Sequence, residues 1–234
     1  MYVPNSAKLA TTPFPPTVQS DSTPRSVRQL HESAPLMRKY AAACITQDGR
    51  EEWVDRIAPA TPDFEQAFSA VSHSAQIYSP NGPIQASDII PGDRITGASG
   101  KTRRVVWVGS MIGVPTMESP HLPDFRLIRI SSEAFGLDRP MGDLTLAPHA
   151  ALSLGREIIS AGDRVDGDAV CEIMPQSSVR MFNIMLDEPD YLLANGLPIV
   201  SYRPSPQQME RMGPNRKALF ASFFPHMQFE QPAL

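Results

Sequence analysis

The chain has little cysteine, glycine or aromatic content and no long apolar run. Of its 234 residues, two are cysteine and 14 glycine, and aromatics make up 7%. Cys44 and Cys171 are too few for a disulfide framework or a thiolate zinc cage. Their flanks, Ala-Ala-Ala-Cys-Ile and Ala-Val-Cys-Glu-Ile, read as strand interiors, so both are expected as buried free thiols. No window holds the roughly 18 apolar residues of a membrane span. The N-terminus, Met-Tyr-Val-Pro-Asn-Ser, lacks a basic region followed by an apolar one, so a classical signal peptide is not expected. The expected location is the cytoplasm, or the exterior by a signal-independent route. Basic charge is not in excess either. The net charge is −4 and the arginines are scattered, which argues against nucleic-acid binding through phosphates. No His, Cys, Asp and Glu set has ligand spacing, so neither metal nor cofactor is expected.

Proline is abundant instead. The 24 prolines are about twice the usual share and exclude a long-helix bundle, because each breaks a helix interior. They fit short strands joined by turns. The length suits one domain with appendages, and 41% apolar residues can fill its core.

Residues 1–35 are rich in Ser, Thr and Pro without period, and are expected as a disordered arm. Leu36–Gln47 and Arg50–Pro59 flank Asp48-Gly49, a hairpin signal. Thr61-Pro62-Asp63 starts a helix whose apolar face is Phe64, Ala67 and Phe68. From Ala75 onward, short strand-like runs follow one another to Tyr202. Phe125–Ile130 is poorly amphipathic and reads as a strand buried on both faces. Asn195-Gly196 marks another tight hairpin. Ser205-Pro206 opens short C-terminal helices ending near Pro225, and residues 226–234 are expected to fray.

One internal repeat is visible. Asp88-Ile89-Ile90-Pro91-Gly92-Asp93-Arg94-Ile95 matches Asp163-Arg164-Val165-Asp166-Gly167-Asp168-Ala169-Val170. Each reads as a corner in which Gly takes a positive φ, Asp accepts backbone N–H groups, and a β-branched residue opens a strand. A duplicated β unit implies two similar halves about a pseudo-twofold axis.

The repeat and its neighbours resemble the Hint domain of Hedgehog proteins and inteins, in the bacterial branch found in alphaproteobacteria. Five blocks carry the resemblance, in order. Ile77–Ile84 resembles the family's opening hairpin. Ala86–Ile95 resembles its "V-E-D-L-x-P-G-D-x-V" turn. Val106-Trp107-Val108-Gly109, Leu144–His149 and Leu192–Tyr202 resemble later blocks. The resemblance implies an all-β horseshoe of two related halves over residues 70–204. A hairpin and short helix (36–69) would precede it, and short helices (205–234) would follow.

The resemblance also implies a chemistry: an N-to-S acyl shift. A first-position Cys attacks the preceding carbonyl, helped by a Thr/His pair. In this chain Ala70 stands at the Cys position, and Ser74-Ala75 stand where Gly-Thr is usual. Ala150 stands at the His position, with His149 one residue early, and Pro189-Asp190 replace a His-Glu pair. A one-residue slip in a strand reverses side-chain direction, so His149 is expected to point away.

Ser69 and Ser72 flank Ala70 as substitute nucleophiles, with His73 as a nearby base; the plainer reading makes them solvated loop serines. His149 is otherwise an ordinary satisfied histidine. His31, His121 and His226 lie in loop-like segments. Asp93 and Asp168 read as turn acids, Arg103-Arg104 as a solvated edge pair, and Trp107 as core. The leading expectation is a catalytically degenerate Hint-like module, structural or binding another protein or peptide. The rival is self-processing near Ser69-Ala70.

Overall fold

Short apolar bursts alternate with turn residues, and the backbone follows that punctuation. A computed structural model describes residues 36–115, 125–227 and 229. The arm expected at 1–35, His31, His121 and most of the C-terminal tail lie outside them.

In chain order the elements are β1 (Met37–Ile45), β2 (Glu51–Pro59), α1 (Pro62–Phe68), β3 (Val71–Ser72), β4 (Gln76–Ser79), β5 (Gly82–Gln85), β6 (Arg94–Thr96) and β7 (Thr102–Gly113). After these come β8 (Leu127–Ile130), β9 (Leu144–Leu146), β10 (Ala151–Leu154), β11 (Glu157–Ser160), β12 (Val170–Ile173), β13 (Val179–Leu186), β14 (Tyr191–Ala194) and β15 (Leu197–Val200). Helices α2 (Pro206–Arg211) and α3 (Pro214–Ala221) follow. The expected all-β class holds, with antiparallel pairing throughout. One sheet runs β12-β8-β9-β3-β13-β7-β1-β2, with β6 on β7, and a second runs β11-β10-β15-β14-β4-β5.

The repeat extends well beyond the eight residues visible in sequence. From Gln76 to Ala151 and from Gly82 to Glu157 the step is 75 positions, and β4-β5 maps onto β10-β11 without insertion. The connecting bonds repeat at the same step. Ala86 N donates to Ala75 O at 2.8 Å, and Ala161 N to Ala150 O at 2.8 Å. Ser87 N donates to His73 O, and Gly162 N to Pro148 O. Val71 and Leu146, themselves 75 apart, pair with each other, which places them on the pseudo-dyad. Gly92 and Gly167 both take positive φ, +102° and +81°, as the corner reading requires. The acids differ between copies. Asp93 accepts from Ile90 N, but in the second corner Asp166, rather than Asp168, accepts from Asp168 N and Val170 N.

Two apolar clusters hold the sheets. One packs β-branched and Leu side chains between them, around Ile77, Ile95, Ile128, Leu146 and Ile184. The other is aromatic and joins α1 and α3 to β1 and β7: Tyr40, Phe64, Phe68, Trp107, Phe220, Phe223 and Phe224. Trp107 is fully buried, and its Nε1 donates to Phe223 O at 2.8 Å. The Phe68 ring sits 4.8 Å from that of Phe223 and 5.5 Å from that of Trp107. Gly109 permits this packing, since a Cβ there would meet the Trp107 ring at 2.1 Å.

Some local expectations hold and others need correction. Thr61 is the N-cap residue of α1, but its hydroxyl is buried and caps nothing. Ser205 does cap α2, accepting from Gln208 N. Strand β8 is buried on both faces at Leu127, Ile128 and Ile130, yet Arg129 is exposed beside Asp143. Cys44 is buried, but Cys171 is only half-buried because β12 ends the sheet. The 36–69 hairpin joins the large sheet directly, through β1 on β7.

Candidate functional site

Helix α1 ends at Ser69, and the aromatic cluster fixes that end by burying Phe64 and Phe68. Ser69 N and Oγ both donate to Glu65 O, at 3.0 and 2.6 Å. Ala70 N then donates to Phe182 O at 2.8 Å, and Ala147 N to Ala70 O at 2.9 Å. The Ser69–Ala70 peptide is therefore clamped between a helix end, β13 and the end of β9.

His149 faces this peptide. Its Nε2 lies 2.5 Å from Ser69 O and 3.3 Å from Ser69 Oγ. The expectation that the ring points away is overturned. His149 sits in a turn, closed by Ala150 N on Ala147 O at 3.0 Å, where strand alternation does not apply. Burial lowers the His149 pKa, and the bond to Ser69 opposes that only in part. The lowered value favours the neutral ring, and since a carbonyl oxygen only accepts, Nε2 donates in this contact. Such a donor polarises a carbonyl.

The serines differ from the solvated-loop reading. Ser69 and Ser72 are 2% and 3% exposed. The Ser69 proton goes to Glu65 O, not to a base. Ser72 Oγ meets Ser74 Oγ at 3.2 Å, and His73 is exposed. No described hydrogen bond joins His73 to either serine. Ala70 carries no nucleophile and Ala150 no ring. Burial pushes the Cys44 thiol up to about 11, with the Glu52 charge adding to it, so this cysteine is no substitute nucleophile.

Beside the peptide lies a cleft of about 500 Å³, lined by Ala70, His149, Asn183, Ser201, Tyr202 and Arg203 among others. Asn183 is buried; its Nδ2 donates to Gln66 O at 2.9 Å and so ties β13 to α1. Sequence reasoning missed it, although a lone amide inside Met181-Phe-Asn-Ile-Met was a readable signal. Tyr202 OH meets Gln208 Oε1 at 3.3 Å, and burial raises its pKa.

Asp190 lines the same cleft, but its carboxylate is fully engaged. Oδ1 accepts from Tyr191 N at 2.8 Å and Ser99 N at 3.3 Å. Oδ2 accepts from Arg103 Nε at 3.1 Å and from Ser99 Oγ. Burial alone would raise its pKa, but these bonds hold it below the ordinary carboxylate value. Arg103, expected on a solvated edge, is 13% exposed and paired with both Asp190 and Glu188. Asn195-Gly196 is the expected hairpin turn, both residues at positive φ. Asn195 also accepts from Gln76 N at 2.8 Å and donates to Met141 O at 3.2 Å.

The family model of the Hint domain matches residues 70–206, a span that begins at Ala70. The chain belongs to the Hint domain family. Among solved structures, the Hint fold here is similar to the MchDnaB-1 intein, at 16% identity and a TM-score of 0.41 over 57% of this chain and 100% of that one. It is also similar to a bacterial intein-like domain from Clostridium thermocellum, at 10% identity and a TM-score of 0.42 over 58% of this chain and 99% of that one. The gp41-1 intein matches at 13% identity and a TM-score of 0.39 over 57% and 98%. No curated protein sequence matches. Among the described residues of this Hint chain there is no group of three His, Cys, Asp or Glu that could hold a metal ion. No described helix is long and apolar enough to cross a membrane.

Proposed function

We propose that this Hint domain does not process itself and serves as a structural or interaction module. One observation carries the reading: His149 engages the Ser69 carbonyl, but residue 70 is alanine. In an acyl shift the nucleophile belongs to the residue that follows the attacked carbonyl. A methyl group supplies none. The committed hydroxyl of Ser69 and the pairing of the Ser72 hydroxyl with Ser74 support the same reading. The five sequence blocks support placing the chain in the bacterial branch of the family.

The rival reading is self-processing near Ser69-Ala70, by an N-to-O shift. The Ser69 hydroxyl, 3.3 Å from His149 Nε2, favours it. Intact mass of freshly made full-length protein, with and without hydroxylamine or thiol, separates the two. The module reading expects one persistent full-length species. Fragments breaking near residue 70, and lost in Ser69→Ala or Ser72→Ala, would establish the rival.

A further inference from the structure

Strand β2 ends the large sheet, and its pairing with β1 runs without a bulge from Glu51 to Pro59. Sheet edges are usually blunted by shortness, proline, a bulge or charged side chains. Here β5 contains Pro83, and β11 and β12 are four residues each. Strand β2 has nine residues, with no proline before Pro59.

The edge groups can be identified. Thr46 N donates to Arg50 O and Ala60 N to Leu36 O, bracketing the β1–β2 ladder. Hydrogen-bonded pairs alternate in an antiparallel ladder. Even-numbered residues of β2 therefore bond β1, and Glu51, Trp53, Asp55 and Ile57 turn their N–H and C=O groups outward. No described backbone group bonds them. Trp53 and Ile57 are 68% and 64% exposed on the same strand face. Glu52 and Arg56 share the other face, are exposed, and have no ion-pair partner among the described residues.

We infer that β2 pairs with β2 of a second copy of this chain, antiparallel about a twofold axis at Val54. That register opposes Glu51 to Ile57 and Trp53 to Asp55 as hydrogen-bonded pairs, using the outward groups of both strands. It also opposes Glu52 to Arg56 twice, by symmetry, as the closer non-hydrogen-bonded pairs. Trp53 of each copy then lies diagonal to Trp53 of the other, within reach of a long side chain. The two neighbouring registers are less favourable on charge, although Lys39 of the same chain pairs with Asp55 at 2.6 Å. One opposes Glu51 to Asp55, and the other sets Asp55 against its own copy. The charges on this edge thus select one partner and one register.

Sedimentation equilibrium of the full chain over a concentration series tests this. A reversible dimer is expected. Glu52→Arg and Arg56→Glu should each weaken it about tenfold, because two attractive pairs become repulsive. The double swap should restore it. Hydrogen exchange gives a readout independent of the variants: the amides of Trp53, Asp55 and Ile57 should gain protection as concentration rises. A chain that stays monomeric to its solubility limit overturns the inference. So does a dimer that neither single swap weakens, or one that leaves those three amides unprotected.

Discussion

His149 Nε2 lies 2.5 Å from the carbonyl oxygen of Ser69, and the residue that follows that carbonyl is Ala70. The contact joins two segments 80 residues apart at the point where a helix end enters the sheet. It is structural whether or not it is chemical, because Ser69 is buried. His149→Ala should leave the Ser69 carbonyl without its side-chain donor and cost about 1–3 kcal/mol. Urea denaturation reads this directly. A variant as stable as the parent would mean the contact contributes nothing to folding.

Ala70→Cys restores a nucleophile beside the polarised carbonyl. The expected outcome is thiol-dependent cleavage after Ser69, seen by intact mass as fragments 1–69 and 70–234. Cleavage should disappear when His149→Ala is added. A chain that stays whole would show that the histidine contact alone does not equip the site.

Acid should destabilise the fold through two half-buried histidines. Burial, aided by the Arg203 charge, pushes His226 down to about 4, and burial lowers His149 as well. A depressed folded pKa means that the unfolded chain takes up the proton first. The contribution is complete above the unfolded value near 6.5, and is lost as pH falls from there toward 4. Melting temperatures at pH 7 and pH 5 should differ less in His226→Gln than in the parent. Equal pH dependence in the two proteins would remove His226 from the account.

Asn195 does two jobs, holding a left-handed turn at φ 47° and bridging Gln76 N to Met141 O. Asn195→Ala should therefore cost about 1–3 kcal/mol, from two part-buried bonds lost and a strained φ. A shift in the urea midpoint with unchanged slope would be the signature. A loss below half a kcal/mol would mean that water replaces both bonds.

Local chemistry made much of the fold readable. Asn195-Gly196, Thr61-Pro62 and Ser205-Pro206 each specify a backbone turn or helix start through neighbouring atoms. Trp107 is the expected core residue, although Trp53, of equal size, is 68% exposed. What escaped was decided by residues distant in sequence. Ser69 and Ser72 looked like loop serines, because nothing local shows that β13 and β9 close over them. Arg103 looked solvated, because its partners Asp190 and Glu188 lie more than 80 positions away. The period-two rule of strands fails for His149, which sits in a turn. At the site the alanines at 70 and 150 were legible, while Asn183 and the direction of His149 were not.

The 75-residue step also bears on synthesis. Strand β7 can pair with β1 once both are made, but its other neighbour is β13. Likewise Val71 waits for Leu146. At usual ribosomal rates the second half follows the first by roughly 4–15 s. For that interval the nascent first half carries half of a shared core and an open strand edge. Each half is thus an incomplete folding unit, and a chain released early would be a target for chaperones or for pairing with another nascent chain.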